Sequence, residues 1–244
     1  MDKAQRESLI RLISSPPPGS KIAAAKEFGV DLTLLVRMLE LTPTERLRRL
    51  ADAQAFMHKL QIARESDGRI ENAVSAEPEP RSGFELILKA LADAEVRFVM
   101  VGDLVAGAHG PAHATYVLEL CYDRSHDNID RLAKVLGPSH PRLRALPDDQ
   151  TFHLDAATIA RGMNFTLTAD IGEVDLFGEV GGIGGYEDAR ALSITLDLFG
   201  FPCAVLSLDG LIRCKRATAR PKDLLILPEL EALREIETRG KTKP

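Results

Sequence analysis

Tryptophan is absent from this 244-residue chain, and aromatic residues make up only 5% of it. A base-stacking platform of the kind that binds single-stranded nucleic acid therefore has little to be built from. Cysteine is scarce too. Cys121, Cys203 and Cys214 are odd in number, widely spaced and in no CxxC pair, which argues against a disulfide framework or a zinc site and leaves them as reduced core thiols. Charge of one sign is also lacking: 31 basic residues against 36 acidic leave a net charge of −5, without the basic excess of a whole-molecule nucleic-acid footprint. No apolar run reaches the roughly 18 to 20 residues of a bilayer crossing, and Met1-Asp2-Lys3 leads into a charged segment rather than a signal-peptide core. The expectation is a cytoplasmic protein with no membrane partner. The loop Gly181-Gly182-Ile183-Gly184-Gly185 has neither GxGxxG order nor a following Lys-Ser/Thr pair, so it reads as a turn rather than a dinucleotide or Walker-type phosphate site.

What is present is an ordinary globular composition, 45% apolar and 27% charged, in two parts. Residues 1–65 read as an all-helical accessory module. Arg6 to Ile13 is closed by Pro16-Pro17-Pro18-Gly19, Lys21 to Phe28 by Gly29, and Asp31 to Leu39 follows. In a longer helix Thr42 supplies the N-cap, Pro43 the first position and Glu45 the capping box, after which Leu47, Leu50, Ala53, Met57 and Leu60 share a face. The run Arg46, Arg48, Arg49 then falls on the opposite, wet face. Residues 66–82, with Ser66-Asp67-Gly68 and Glu77-Pro78-Glu79-Pro80, have no apolar periodicity and read as a linker.

From residue 83 to 244 helices and strands alternate. An amphipathic helix over Phe84 to Ala94 precedes the buried strand Phe98-Val99-Met100-Val101. Gly102-Asp103 ends that strand, an Ala/Gly-rich helix runs to His109-Gly110-Pro111, and Thr115 to Tyr122 is a second strand. A helix from Asn128 to Leu136, an irregular proline-marked stretch, a hairpin around Gly172, strands at Ala191 to Leu198 and Cys203 to Leu206, and two closing helices complete the pattern. The fold class expected is α+β: a short mixed sheet flanked by helices, preceded by the helical module.

The run Phe98-Val-Met-Val-Gly-Asp, then His109-Gly110, Thr115-Tyr-Val-Leu-Glu-Leu and Val174-Asp175-Leu-Phe, resembles the DNA polymerase β-like nucleotidyltransferase superfamily in its minimal bacterial branch, which includes abortive-infection-type toxins. The resemblance extends over about Phe84 to Leu233 and takes in Leu206-Ser-Leu-Asp-Gly-Leu-Ile-Arg-Cys-Lys-Arg and Arg220-Pro-Lys-Asp-Leu-Leu. It implies Mg²⁺-dependent transfer of a nucleoside monophosphate from an NTP to an RNA, protein or small-molecule hydroxyl. Such chemistry uses carboxylates at alternate strand positions to hold two divalent ions on an in-line displacement. On this pattern Glu119 and Asp175 are the catalytic, metal-holding carboxylates. Gly102, Asp103, Thr115, Lys215 and Lys222 lie on the nucleotide side.

The chain departs from the pattern in the pocket itself. The first metal Asp falls on Val117, which cannot coordinate an ion, and the second on Glu119. Asp103 stands where a small turn residue should admit the triphosphate, and His113 where an Arg precedes the Thr. The function expected is accordingly a nucleotidyltransferase-like protein weakened or inactive in transfer. The alternative is a non-catalytic interaction or regulatory protein, such as one half of a toxin–antitoxin pair, contacting its partner through the N-terminal helices.

Blander readings stand beside these. Glu119 is either a metal ligand or a solvated outward position, and Asp175 either a site carboxylate or the end of a hairpin. Arg213, Lys215, Arg216, Arg220 and Lys222 form either a phosphate-facing group or a solvated helix face. His109 and His113 are not aligned as metal ligands, because Gly110-Pro111 breaks the helix between them. Lys21 to Leu39 reads as two short helices rather than a DNA-reading helix pair.

Overall fold

Phe98-Val99-Met100-Val101 is apolar at every position, which suits a strand covered on both faces. The computed structural model describes residues 2–65, 83–111, 115, 117–146 and 152–241. Among them this run is β1 (Phe98–Val101), followed by β2 (Val117–Tyr122), β3 (Arg142–Leu143), β4 (Asn164–Ala169), β5 (Gly172–Phe177), β6 (Ser193–Leu198) and β7 (Phe201–Leu206). They form one mixed sheet in the order β3-β4-β5-β2-β1-β7-β6. β1 runs antiparallel to β2 and parallel to β7, while β2 runs parallel to β5. The hairpin β6–β7 ends one side, and on the other the hairpin β4–β5 is edged by the short β3.

Helices flank the sheet. They are α1 (Lys3–Ser14), α2 (Lys21–Phe28), α3 (Leu32–Leu39), α4 (Pro43–Glu65), α5 (Gly83–Asp93), α6 (Gly102–His109), α7 (His126–Leu136), α8 (Ala156–Arg161), α9 (Tyr186–Ala191), α10 (Leu208–Thr218) and α11 (Pro221–Lys241). None is long and apolar enough to cross a membrane, among the described residues. The expected linker over 66–82, His113 and the side chains of Met57 and Leu60 lie outside the described residues.

The helix starts follow their capping chemistry. Thr42 and Glu45 exchange the two bonds of a capping box, Glu45 N–H to Thr42 Oγ1 at 3.2 Å and Thr42 N–H to Glu45 Oε2 at 2.7 Å. Ser20 caps α2 and Ser207 caps α10. Two short helices escape the periodicity argument because six residues hold fewer than two turns. α8 starts where the Asp155 side chain accepts from Thr158 N–H at 2.7 Å. α9 takes in Ala191, read above as strand, so β6 begins only at Ser193.

The N-terminal helices and the sheet contribute to one apolar core, in which Ile22, Leu35 and Leu47 are buried together with Val99, Leu104 and Leu120. α2 lies along α11, where Glu235 accepts from the N–H groups of Lys21 and Ile22 at 2.6 and 3.2 Å. α4 packs on α6 at Gly107, where any Cβ would run into the Leu50 side chain. All three cysteines are buried thiols.

Arg46 corrects the reading of its run as a wet face. It is only 8% exposed. Its guanidinium donates to the carbonyl oxygens of Met38, Ala108 and His109 at 2.8, 2.6 and 2.9 Å. Those carbonyls belong to the last turns of α3 and α6, where helices leave acceptors without intrahelical donors and favour a cation. Arg48 and Arg49 remain exposed. His109 is buried as well, its Nε2 2.8 Å from the Leu206 carbonyl oxygen, and burial holds its pKa below the ordinary histidine value.

Replacing Arg46 with Met keeps bulk but leaves three buried carbonyls short of a donor. Urea unfolding is expected to show a loss of about 3 kcal/mol, against less than about 0.5 kcal/mol for Arg49→Met. His109 gives a pH signature. The native ring resists the proton that the unfolded ring takes up near pH ~6.5, so stability contributed by the neutral ring falls as pH drops below that value. His109→Gln should flatten that part of the stability profile between about pH 7.5 and 5.

Candidate functional site

The strand β1 hands over to α6 at Gly102, in the left-handed region with a φ of +77°. A side chain is excluded there twice, by that φ and because its Cβ would run into the Glu119 carboxylate. Glu119 sits opposite Val101 in the β1–β2 ladder, and its Oε2 accepts the backbone N–H of Asp103 at 2.9 Å. The carboxylate of one strand thus caps the helix that leaves its neighbour, where a helix presents orphan donors and positive potential. Glu119 is 8% exposed, so it is not a solvated outward position. Burial raises its pKa above the ordinary carboxyl value, with the Asp103 N–H pulling the other way.

Asp103, in the first turn of α6, points to the closing helices. Lys215 Nζ pairs with its Oδ1, and Lys222 Nζ lies 3.0 Å from its Oδ2. Lys215 also reaches Asp223 Oδ1 at 2.7 Å. Asp223 is fully buried and further accepts from Thr218 Oγ1 at 2.9 Å and Arg220 Nε at 2.6 Å. The result is a chain of alternating charge, Lys222, Asp103, Lys215, Asp223, Arg220, joining α6, α10 and α11. Burial opposes ionisation of Asp103, but the two lysines outweigh it and hold its carboxyl below the usual range. Burial likewise works against the Lys215 cation, yet Asp103 and Asp223 raise its pKa overall. The solvated-face reading therefore fails for Lys215, which is 2% exposed.

Asp175 lies in the middle of β5, in register with Glu119 on one side and Thr166 on the other. It does not end the hairpin. Register partners in a ladder project to the same face, but these two carboxylates engage opposite flanks. Glu119 turns to α6, whereas Asp175 pairs with the guanidinium of Arg144, whose Nη1 also lies 3.4 Å from Glu173 Oε2. Thr115 is buried, its hydroxyl accepting from Val117 N–H at 3.4 Å.

Gly102, Asp103, Glu119, Lys215 and Lys222, all singled out above from the sequence, thus meet in one cluster, with Asp175 beside it. Three participants were not singled out: Asp223, Thr218 and Arg144. Asp223 carried a signal, as an acid in the first turn behind Pro221 at the start of α11. Arg144 carried none.

Mg²⁺ does not fit this donor set. It needs carboxylate oxygens converging on an octahedron. Here Val117, two residues before Glu119, offers no donor, Glu119 is bound to a helix N-terminus, Asp175 to Arg144 and Asp103 to two lysines. Among the described residues no group of three or more His, Cys, Asp or Glu side chains is placed to hold a metal ion. The arrangement can neutralise carboxylates and order a helix start.

Comparison of the chain with protein-family models, with curated proteins and with solved structures gave no match.

The capping role of Glu119 is separable from its charge. A carboxyl with a raised native pKa contributes stability that is complete below its unfolded value and is lost as pH rises through the native one. Glu119→Gln keeps an acceptor for Asp103 N–H and removes that loss. Its Tm at pH 7 is expected to equal or exceed that of the wild type, with the difference shrinking toward pH ~4.3. Glu119→Ala, without an acceptor, should cost about 1 kcal/mol or more in urea unfolding.

Proposed function

We propose that this chain is a nucleotidyltransferase-like protein, weakened or inactive in Mg²⁺-dependent transfer of nucleoside monophosphate, that acts by binding an NTP. The observation that carries this reading is the internal neutralisation of the pocket. Every carboxylate that the resemblance would assign to metal or nucleotide already has a partner of its own. Arg144 serves Asp175, Lys215 and Lys222 serve Asp103, and the Asp103 N–H serves Glu119. A two-metal reaction depends on carboxylates that are free to hold the ions clamping the attacking and leaving oxygens.

Binding remains chemically available. The side chains of Lys222 and Arg220 are 58% and 50% exposed, on the corner between α10 and α11. Their acids, Asp103 and Asp223, are largely buried but both keep Lys215 as a second partner, so a triphosphate can compete for the two exposed cations without leaving either acid unpaired. The second reading, an interaction protein of the toxin–antitoxin type working through its N-terminal helices, is supported by Phe28 and Leu34, which are 55% and 41% exposed there.

Thermal unfolding with each NTP, in EDTA and in Mg²⁺, tests the proposal. A ligand present at about ten times its Kd stabilises the native state by about 1.4 kcal/mol, a rise of about 3 to 6 °C for a chain of this size. The expected result is a rise of that order with at least one NTP, equal in EDTA and Mg²⁺, and no labelled nucleotide incorporated into RNA or protein. A Mg²⁺-dependent rise or measurable incorporation overturns the loss of transfer. No rise with any NTP at millimolar concentration overturns NTP binding and leaves the interaction-protein reading.

A further inference from the structure

We infer that Arg144 is a built-in counter-cation for Asp175, a fixed guanidinium standing in for divalent positive charge at the centre of the sheet. The inference rests on the reading above and names the residue that neutralises Asp175. Arg144 follows β3 directly, and its backbone N–H donates to the Thr166 carbonyl at 3.0 Å. The ladder is thereby extended by one residue. Thr166 is in turn the register partner of Asp175, and Asp175 of Glu119. Arg144, Thr166, Asp175 and Glu119 thus stand in one row running from just past the end of β3 across β4, β5 and β2, and the guanidinium reaches over Thr166 to Asp175 and to Glu173 in the same strand.

The side chains of Arg144 and Asp175 are 29% and 12% exposed. A carboxylate that buried needs a partner, and breaking such a pair leaves an uncompensated charge. A guanidinium meets the need permanently, being charged at all working pH values and offering a planar fork. It is not a Lewis acid, so it neutralises the carboxylate without activating a bound water or hydroxyl as a metal ion would. Glu173 and Asp175 both pair with Arg144, so its removal should leave a place for an added divalent ion.

Four proteins decide the matter: wild type, Arg144→Ala, Asp175→Asn and the double variant, each unfolded thermally in EDTA, in Mg²⁺ and in Mn²⁺, with Mn²⁺ binding followed by electron paramagnetic resonance. The expected pattern has Arg144→Ala lowest in EDTA and regaining at least half of its lost Tm in Mn²⁺, while the wild type and the double variant ignore the metal. The double variant should also unfold above Arg144→Ala in EDTA, because no orphaned carboxylate remains at residue 175, and this comparison stands even if the single variant is too unstable to bind metal. Should Arg144→Ala fold and bind no Mn²⁺, or the double variant be no more stable than it, the inference falls while the proposed function survives. Mn²⁺ stabilisation of the wild type that Asp175→Asn abolishes overturns both.

Discussion

A lysine with 2% of its surface exposed cannot stay charged without partners, and the placement of Asp103 and Asp223 on either side of Lys215 is the constraint on which the closing half of the molecule depends. Asp103 opens α6 at the end of β1, Lys215 belongs to α10, and Asp223 starts α11. The two consecutive closing helices and α6, whose Asp103 lies 112 residues before Lys215, must therefore converge on one ammonium group. Thr218 and Arg220 complete the coordination of Asp223. The turn between α10 and α11 holds Ala219 at a φ of +48°, a conformation that alanine adopts only where its surroundings enforce it. Pairing of this quality is directional, and it fixes the angle between helices more tightly than apolar contact alone would.

From that point the constraint passes outward. α11, positioned by Asp223, receives the start of α2 through Glu235, and Lys21 Nζ lies 2.8 Å from Glu231. α6, positioned by Asp103, receives α4 through Gly107 and Arg46. The N-terminal helices are thus held at two places by groups that terminate helices, an acid at one beginning and an arginine at two ends. The polar cluster at the head of β1 and β2 includes both anchoring acids, Asp103 and Asp223. Its polar residues serve the architecture: Glu119 caps α6, and Asp103, Lys215 and Asp223 tie α6, α10 and α11 together.

Much of the architecture was legible in residue order. Capping pairs, glycine and proline stops and uniform apolar runs are local signals, and they placed the first four helices, β1, the hairpin around Gly172 and both closing helices. The same logic failed at α8 and α9, which are too short to display a period. It failed for Arg46, because a cation one residue from a buried leucine looks exposed on a helical wheel until another helix end is brought beside it. The site was half legible. Gly102, Asp103, Glu119, Lys215 and Lys222 were found through a resemblance in pattern, but their mutual pairing depends on three-dimensional proximity. Arg144 was silent because its partners lie across two strands of the sheet.

The burial of the three cysteines carries a further consequence. Removal from water pushes the thiols of Cys121 and Cys203 up to about 12 and about 11, and that of Cys214 upward as well, so essentially no thiolate exists in the closed molecule at neutral pH. Alkylation can then proceed only through opening, at a rate set by how often each region lets go. Cys121 reports on β2, Cys203 on β7 and Cys214 on α10, beside the buried lysine. The chain therefore contains three clocks of its own breathing, two in different strands of the sheet and one in a closing helix.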